Sequence, residues 1–330
     1  MADPILMAGM AGTVKSTVLK NITPAPPTGP EIDLVNGDFI VHDGQTNSAT
    51  VKTFQLDGDA DVEIRVYGAG AGGPNAGGRG GNNKGEYTLK QTKTYVCIVG
   101  GSGVNGGGRT SHGAGGASAF LETTPTTPFP SAPGGTEILV AGGGGTSVGG
   151  FGGHGGGGPE GLAGGRTPNA LRSPPMYGGG ASGTTGGVGG TGPRRNGSPG
   201  GNAPRGAGAA SVGGPPLPAG GQSPYAAGGR GGQVPGDVGS GSGGGGYAGG
   251  GGGGGDSGGI GGGGGNGYTN PAVRNPVNGQ GQTFSGDPGD YGALYGPYNP
   301  GSTTGFQGAI VVSVYPTPAT MTSSNPSPTS

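Results

Sequence analysis

The sequence predicts a mostly β and irregular fold. A short β-strand framework clamps a packed lattice of polyglycine II helices, and α-helix is negligible. Three observations predict it. Of the 330 residues, 94 are Gly and 31 are Pro, against average usage of about 7% and 5%. Short apolar runs of β character stand upstream of the glycine-rich stretch, and an ordinary strand returns after it. Helix is disfavoured over most of the length, because each interior Gly costs about 1 kcal/mol relative to Ala and each Pro about 3. With 28% hydrophobic residues and no Trp, almost no conventional hydrophobic core is expected.

Residues 1–30 read as an attachment segment. Ile5, Leu6, Met7 and Met10 are its candidate contact residues, and Pro24, Pro26, Pro27 and Pro30 form a stiff spacer. A disordered tail fits the same composition equally. Residues 31–141 read as a β-rich framework. Ile32 and Leu34, then Phe39–Val41, then Val51, Phe54 and Leu56 form short runs, with turn signals at Asn36-Gly37 and Asp43-Gly44. Val62, Ile64 and Val66 alternate with polar residues, the period of a half-buried strand. Glu86–Lys90 and Thr94–Val99 read as a second strand pair joined at Gln91-Thr92-Lys93, and Ile138–Ala141 as a further strand.

Residues 142–305 read as the glycine-rich lattice with projecting loops; 59 Gly fall between 141 and 270. A collagen-like Gly-X-Y period is absent from the sequence. Residues 306–316 hold a closing strand, Gly308–Tyr315, and 317–330 a flexible Ser/Thr/Pro tail. The closing strand decides how the middle is read. An isolated strand is not stable, so it must return to partners before residue 142, which fixes both ends of the glycine-rich stretch. A polyproline II-type helix has about three residues per turn and no internal hydrogen bonds. If its residues are glycine, several such helices can pack side by side and bond to one another. A Cβ pointing inward would force neighbours apart and leave buried peptide groups unpaired.

The balance of 16 Lys+Arg against 17 Asp+Glu argues against a general grip on nucleic acid. A single Cys, Cys97, excludes an intramolecular disulfide framework. The sequence lacks a run near the roughly 20 apolar residues of a membrane span, and Met1–Gly12, with Asp3, does not read as a signal peptide. Motif matches are weak. Gly145–Gly149 fits G-x-S-x-G without a helix to follow or a triad to join. Gly101–Gly106 lacks the βαβ context of a dinucleotide site. Asp57, Asp59 and Asp61 alternate as in a calcium loop, yet Val62 and Gly68 stand where Gly and Glu are required. His42, His112 and His154 lack spaced ligand partners. Arg79-Gly80-Gly81 and Arg230-Gly231-Gly232 are only two RGG elements. The sequence therefore predicts neither an enzyme, nor a metal or cofactor site, nor nucleic-acid binding or membrane insertion.

The interruptions of the glycine runs carry more information. A lattice of bare backbone must eject larger side chains as loops, and loops on a rigid scaffold commonly bind. Tyr and Arg are favoured at contacts. The candidates are Arg172, Tyr177, Arg194, Arg195, Tyr225, Phe284, Tyr291, Tyr295 and Tyr298. Capping of the lattice ends against water is the competing role for each.

Val62–Gly73, Gly85–Leu89, Thr94–Gly103, Gly115–Phe120, Ile138–Gly145, Gly243–Gly250 and Gly308–Tyr315 follow in an order that resembles the glycine-rich domain of phage tail proteins. The style is also similar to the glycine-rich ectodomain of anaplastic-lymphoma-kinase-type receptors and to T-even-type fibre-tip adhesins. The resemblance spans roughly residues 50–316. It implies packed polyglycine II helices and, from the adhesins, loops at one end that contact a host surface receptor. The chain lacks the Trp-containing docking segment of those adhesins and the disulfides of the receptors; the second difference favours the viral family. The function expected is a virion fibre or tail-tip protein, displayed extracellularly. Its N-terminal segment would hold other virion proteins and its loops a host surface protein or glycan, with oligomerisation left open. A purely structural spike or decoration protein, or a secreted glycine-rich matrix protein, is the alternative.

Overall fold

The computed structural model describes residues 33–35, 38–42, 50–54, 56, 58–71, 77–101, 114–123, 135–146, 152–161, 163, 177–191, 196–203, 241–254, 261–279 and 308–314. Among the described residues there is no helix, and the strands form two antiparallel sheets. In chain order the strands are β1 (Asp33–Val35), β2 (Asp38–His42), β3 (Thr50–Phe54), β4 (Ala60–Tyr67), β5 (Asn82–Leu89), β6 (Thr94–Val99), β7 (Ser118–Thr123), β8 (Thr136–Ala141), β9 (Tyr268–Thr269), β10 (Arg274–Gly279) and β11 (Ala309–Val314). One sheet runs β1-β2-β11-β4-β5-β10 and the other β3-β6-β7-β8-β9.

The closing strand does return to the start. Between β2 and β4, β11 sets Val311 opposite both Ile40 and Arg65. β1 pairs antiparallel with β2, with Val35 opposite Asp38 on either side of the expected Asn-Gly turn signal. Along β4 the odd–even pattern holds, with Val62, Ile64 and Val66 buried.

The expected absence of a core is overturned. Both sheets bury one face against a shared cluster that includes Phe54, Val62, Ile64, Leu89, Tyr95, Cys97, Phe120, Leu139 and Ile310. Phe54, Tyr95 and Phe120 form its aromatic centre, with ring centroids 5.6–6.1 Å apart. The apolar residues are few but concentrated in strands, so a thin sandwich closes despite the overall composition. The outer face of the second sheet carries a smaller cluster of Val96, Ile98, Ala119, Leu121 and Val140.

Two further expectations are corrected. β5 and β6 do not pair with each other. β5 pairs with β4 and β10, and β6 with β3 and β7. The turn at Gln91–Lys93 crosses between sheets, because Leu89 and Tyr95 at its two ends both face the shared core. The region 142–305, expected as lattice with projecting loops, also holds β9 and β10; β10 pairs with β5 and so extends the first sheet.

The glycine segments continue directly from strand ends: 68–71 from β4, 100–101 from β6 and 142–146 from β8, with 77–81 leading into β5, 114–117 into β7 and 261–267 into β9. They bond to one another through the backbone. Within 142–145, the N–H groups donate to Gly156, Gly245, Ala69 and Gly153, and the carbonyls accept from Gly81, Gly265, Gly115 and Gly78. Those eight bonds of 2.7–3.1 Å reach six different segments, where a β-strand would reach two. The described glycines of this array keep ordinary backbone angles; only Gly183, in a turn, has a positive φ of 55°. Glycine is required by proximity instead. A Cβ on Gly143, Gly144 or Gly265 would come closer than 3.0 Å to the carbonyl oxygen of Gly115, Gly78 or Gly245.

Candidate functional site

The backbone bonds also fix which residues share an end of the array. At the end away from the sheets, Ala71 donates to Gly78 and Gly78 to Gly145. Gly262 donates to Thr146, Thr146 to Ser242, and Gly178 to Gly261. Gly253 donates to Gly241, Gly190 to Gly252, and Gly197 to Gly190. The distal end therefore gathers residues 71, 77, 146, 152, 177, 191, 196, 241, 254 and 261. The sheet end gathers Gly68, Gly81, Gly142, Gly267 and Gly308, each next to a strand terminus, and Gly156, whose carbonyl accepts the Gly142 N–H.

Of the predicted binding residues, Tyr177 alone lies among the described residues. It stands at the distal end, 38% exposed, one residue before Gly178 enters the array. Arg172, Arg194, Arg195, Tyr225, Phe284, Tyr291, Tyr295 and Tyr298 lie outside the described residues, as do the proposed attachment residues Ile5, Leu6, Met7 and Met10. Their flanking residues are described. Ala163 and Tyr177 bracket Arg172, and Thr191 and Asn196 bracket Arg194 and Arg195, with Tyr177, Thr191 and Asn196 at the distal end. The stretch holding Tyr225 follows Ala203, which bonds Thr184 at the sheet end, and rejoins the array at Gly241 distally. Gly279 and Gly308 bracket Phe284, Tyr291, Tyr295 and Tyr298, and both lie at the sheet end. The described flanking residues thus fall into a distal group, with Tyr177, Thr191, Asn196 and Gly241, and a sheet-end group, with Ala203, Gly279 and Gly308.

The residues of the weaker motifs take structural positions. Asp59 accepts from Lys90 Nζ at 2.9 Å and from the Gln91 N–H, which holds its carboxyl below the usual range. Asp61 is held low by the Thr88 hydroxyl and by Arg274. His154 Nδ1 accepts the backbone N–H of Arg79 at 2.9 Å, and burial, then the Arg79 charge, depresses its pKa. Cys97 is buried in the sandwich core, which pushes its thiol pKa well up. Thr146 fills a buried niche where its hydroxyl takes the Ser242 N–H. Among the described residues, no three His, Cys, Asp or Glu side chains are grouped to hold a metal ion.

Several residues escaped the sequence reading. Asn266 locks a sheet-end corner of the array: its Oδ1 accepts the Ala248 N–H at 2.7 Å, and its Nδ2 donates to the Pro159 and Gly183 carbonyls at 2.8 Å. Asn83 donates to Tyr268 O and Thr269 Oγ1, joining the two sheets. Tyr247 and Tyr268 stack with ring centroids 4.5 Å apart, where the array meets the outer face of the second sheet. Tyr247 had a readable signal. It is the one aromatic in the glycine-rich run 241–254, and no aromatic fits at an inward position such as Gly143 or Gly265, where even a Cβ would meet neighbouring backbone.

No family model matches the chain, and no curated protein matches it.

Proposed function

We propose that this chain is a phage fibre or tail-tip protein whose glycine array is a polyglycine II-type lattice, presenting receptor-binding loops at its distal end. The observation that carries the reading is the convergence of residues 71, 77, 146, 177, 191, 196, 241, 254 and 261 on that end. An array in which one segment bonds to six others is stiff, because each segment is fixed from every side. Segments inserted between distal residues start and finish together on a rigid base, the arrangement that favours recognition by loops. The strand sandwich at the other end sets the register of the array, and the chain enters it from the proposed virion-attachment segment, residues 1–30. The reading includes no catalytic role.

The distribution of charge supports an anionic host surface as the partner. All six Lys lie at or before Lys93, whereas Arg194 and Arg195 fall between the distal residues Thr191 and Asn196, and Arg172 comes five residues before the distal Tyr177. The near-zero net charge thus conceals an arginine-bearing end and an acid-rich framework. Arg recognises carboxylate and phosphate groups in bidentate geometry, so the host group is an acidic protein or glycan.

The test is adsorption to host cells with particles carrying altered chains. Arg172→Ser, Arg194→Ser and Arg195→Ser together should reduce the adsorption rate at least tenfold, and raised salt should weaken adsorption by wild-type particles. Exchange of residues 280–300 for those of a related protein should change adsorption less than the distal triple substitution. Unchanged adsorption by the triple variant, on particles that still incorporate the chain, leaves a purely structural spike as the better account.

A further inference from the structure

From the outer layer of the array, we infer that two rows of side chains form a lateral cap, which keeps the glycine array from pairing with a second copy of the chain. The layer is the pair of segments 185–191 and 196–203. They run antiparallel, with Gly197 donating to Gly190 at 2.6 Å, Gly200 to Gly187 at 2.8 Å and Ala203 to Thr184 at 2.8 Å. Behind and beside them lie 249–252 and 178–182: Gly187 donates to Gly249, Gly190 to Gly252 and Gly179 to Val188. Among the described residues the pair thus reaches two further segments, whereas 142–145 reaches six. In each segment the exposed residues recur at every third position: Thr185, Val188 and Thr191 in one, Asn196, Pro199 and Asn202 in the other. Of the eight residues between them, seven are Gly, and none is exposed. The bonded register sets Thr185 beside Asn202, Val188 beside Pro199 and Thr191 beside Asn196. A period of three is that of a polyproline II-type helix, whose turn advances about 9 Å.

The inward positions of these segments tolerate no side chain. A Cβ on Gly187, Gly189 or Gly200 would fall closer than 3.0 Å to the carbonyl oxygen of Gly179, Gly197 or Gly249. The outward side chains face solvent instead, and Val188 at 71% exposure adds little to any core. With glycine in the rows, this face would be bare main chain like the interior ones, with peptide groups turned outward. Such a face matches itself across a twofold axis, so a second copy would approach as closely as segments approach inside the array. It is the glycine counterpart of an open strand edge, which β proteins blunt with charge or Pro. Neither row carries a charge, so here the bar is steric: each outward Cβ holds a second backbone beyond hydrogen-bonding reach. Pro199 has no N–H to offer. Asn202 Oδ1 accepts the Gly186 N–H at 3.0 Å, taking a donor that a neighbouring carbonyl would need. The period also tells against a β-strand as the face's occupant. Strand side chains on one face repeat at about 7 Å and fall out of step with rows spaced at about 9 Å.

The test is sedimentation velocity on the full chain over a range of concentrations. A variant with Gly at all six positions (T185G, V188G, T191G, N196G, P199G and N202G) should self-associate at least tenfold more tightly than wild type. A variant with Ala at the same positions keeps every Cβ and should sediment as wild type does. In the Gly variant, amide exchange across 185–191 and 196–203 should slow as concentration rises, while that of β4 stays constant. If the sixfold variant does not fold, V188G with P199G, the central pair, should show the same shift in lesser degree. Val188→Arg, which sets a charge at the centre of the face, should leave wild-type sedimentation unchanged. A folded Gly variant that associates no more than wild type overturns the inference. So does an Ala variant that associates as tightly as the Gly variant. Weaker association in Val188→Arg than in wild type also overturns it, since the face would then already join copies. None of these readouts depends on the distal arginines.

Discussion

Gly143→Ala should destabilise the chain far more than its size suggests. Gly143 donates to the Gly245 carbonyl at 2.7 Å and accepts from the Gly265 N–H at 3.1 Å. An added Cβ would sit closer than 3.0 Å to the Gly115 carbonyl, which is backbone and cannot rotate aside. Relief requires the 114–116 segment to move. That movement breaks the bond from Gly115 N–H to the Gly144 carbonyl, 2.9 Å, and the bond from Gly245 N–H to the Gly115 carbonyl, 3.1 Å. Each buried group left unpaired costs about 1–3 kcal/mol, so two broken bonds, which orphan two N–H and two carbonyl groups, give about 4–12 kcal/mol if none finds another partner. That is a large part of a typical total stability of about 5–15 kcal/mol. Gly58→Ala is the matched control, since a Cβ there meets nothing within 4 Å and φ is not positive. It should be neutral or stabilising by up to about 1 kcal/mol through the unfolded chain. Urea unfolding of both variants measures the difference. Equal stabilities would refute the claim that close backbone approach, and not loop flexibility, explains these glycines.

Other substitutions probe the same account. Asn266→Ala removes three hydrogen bonds; leaving the Ala248 N–H and two carbonyls to find other partners should cost about 2–4 kcal/mol in urea unfolding. The depressed pKa of His154 means that folding favours its neutral form. Its contribution is present above the unfolded value of 6.5 and lost as pH falls from there through the folded pKa. Melting temperature should therefore drop more steeply below pH 6.5 in the wild type than in His154→Asn. Cys97 should resist a thiol reagent in the folded chain at pH 8 and react on denaturation, because burial disfavours its thiolate. Rapid native-state labelling would contradict the sandwich core.

The sequence made the simplest elements legible. Val62, Ile64 and Val66 announce β4 by alternation, Asn36-Gly37 marks the β1–β2 turn, and the apolar run Ile310–Val312 makes β11 plain. What stayed hidden depends on tertiary partners. β5 begins with Asn82, Asn83, Lys84 and Gly85, residues with little strand preference, yet Asn83 is buried because its amide bridges to β9. β10 contains Pro276 and a positive-φ Asn275; both are tolerated because it is an edge strand paired on one side only. The crossing at Gln91–Lys93 looked like a hairpin because a turn signal does not say whether its strands share a sheet. At the candidate site, composition showed which residues must leave the glycine runs. Which of them leave at the same end depends on the direction of each segment, which only the bonding pattern reveals.

Backbone amide hydrogen exchange across 142–146, 241–254 and 261–267 in the folded chain tests the central claim most directly. Slowing comparable to that of β4 and β11 is predicted at Gly142–Thr146, Gly244, Gly245, Gly249–Gly253, Gly262, Gly263 and Gly265–Gly267, whose N–H groups are tied to neighbouring carbonyls at 2.7–3.1 Å. Exchange at the rate of an open peptide in those segments, while β4 stays protected, would contradict it.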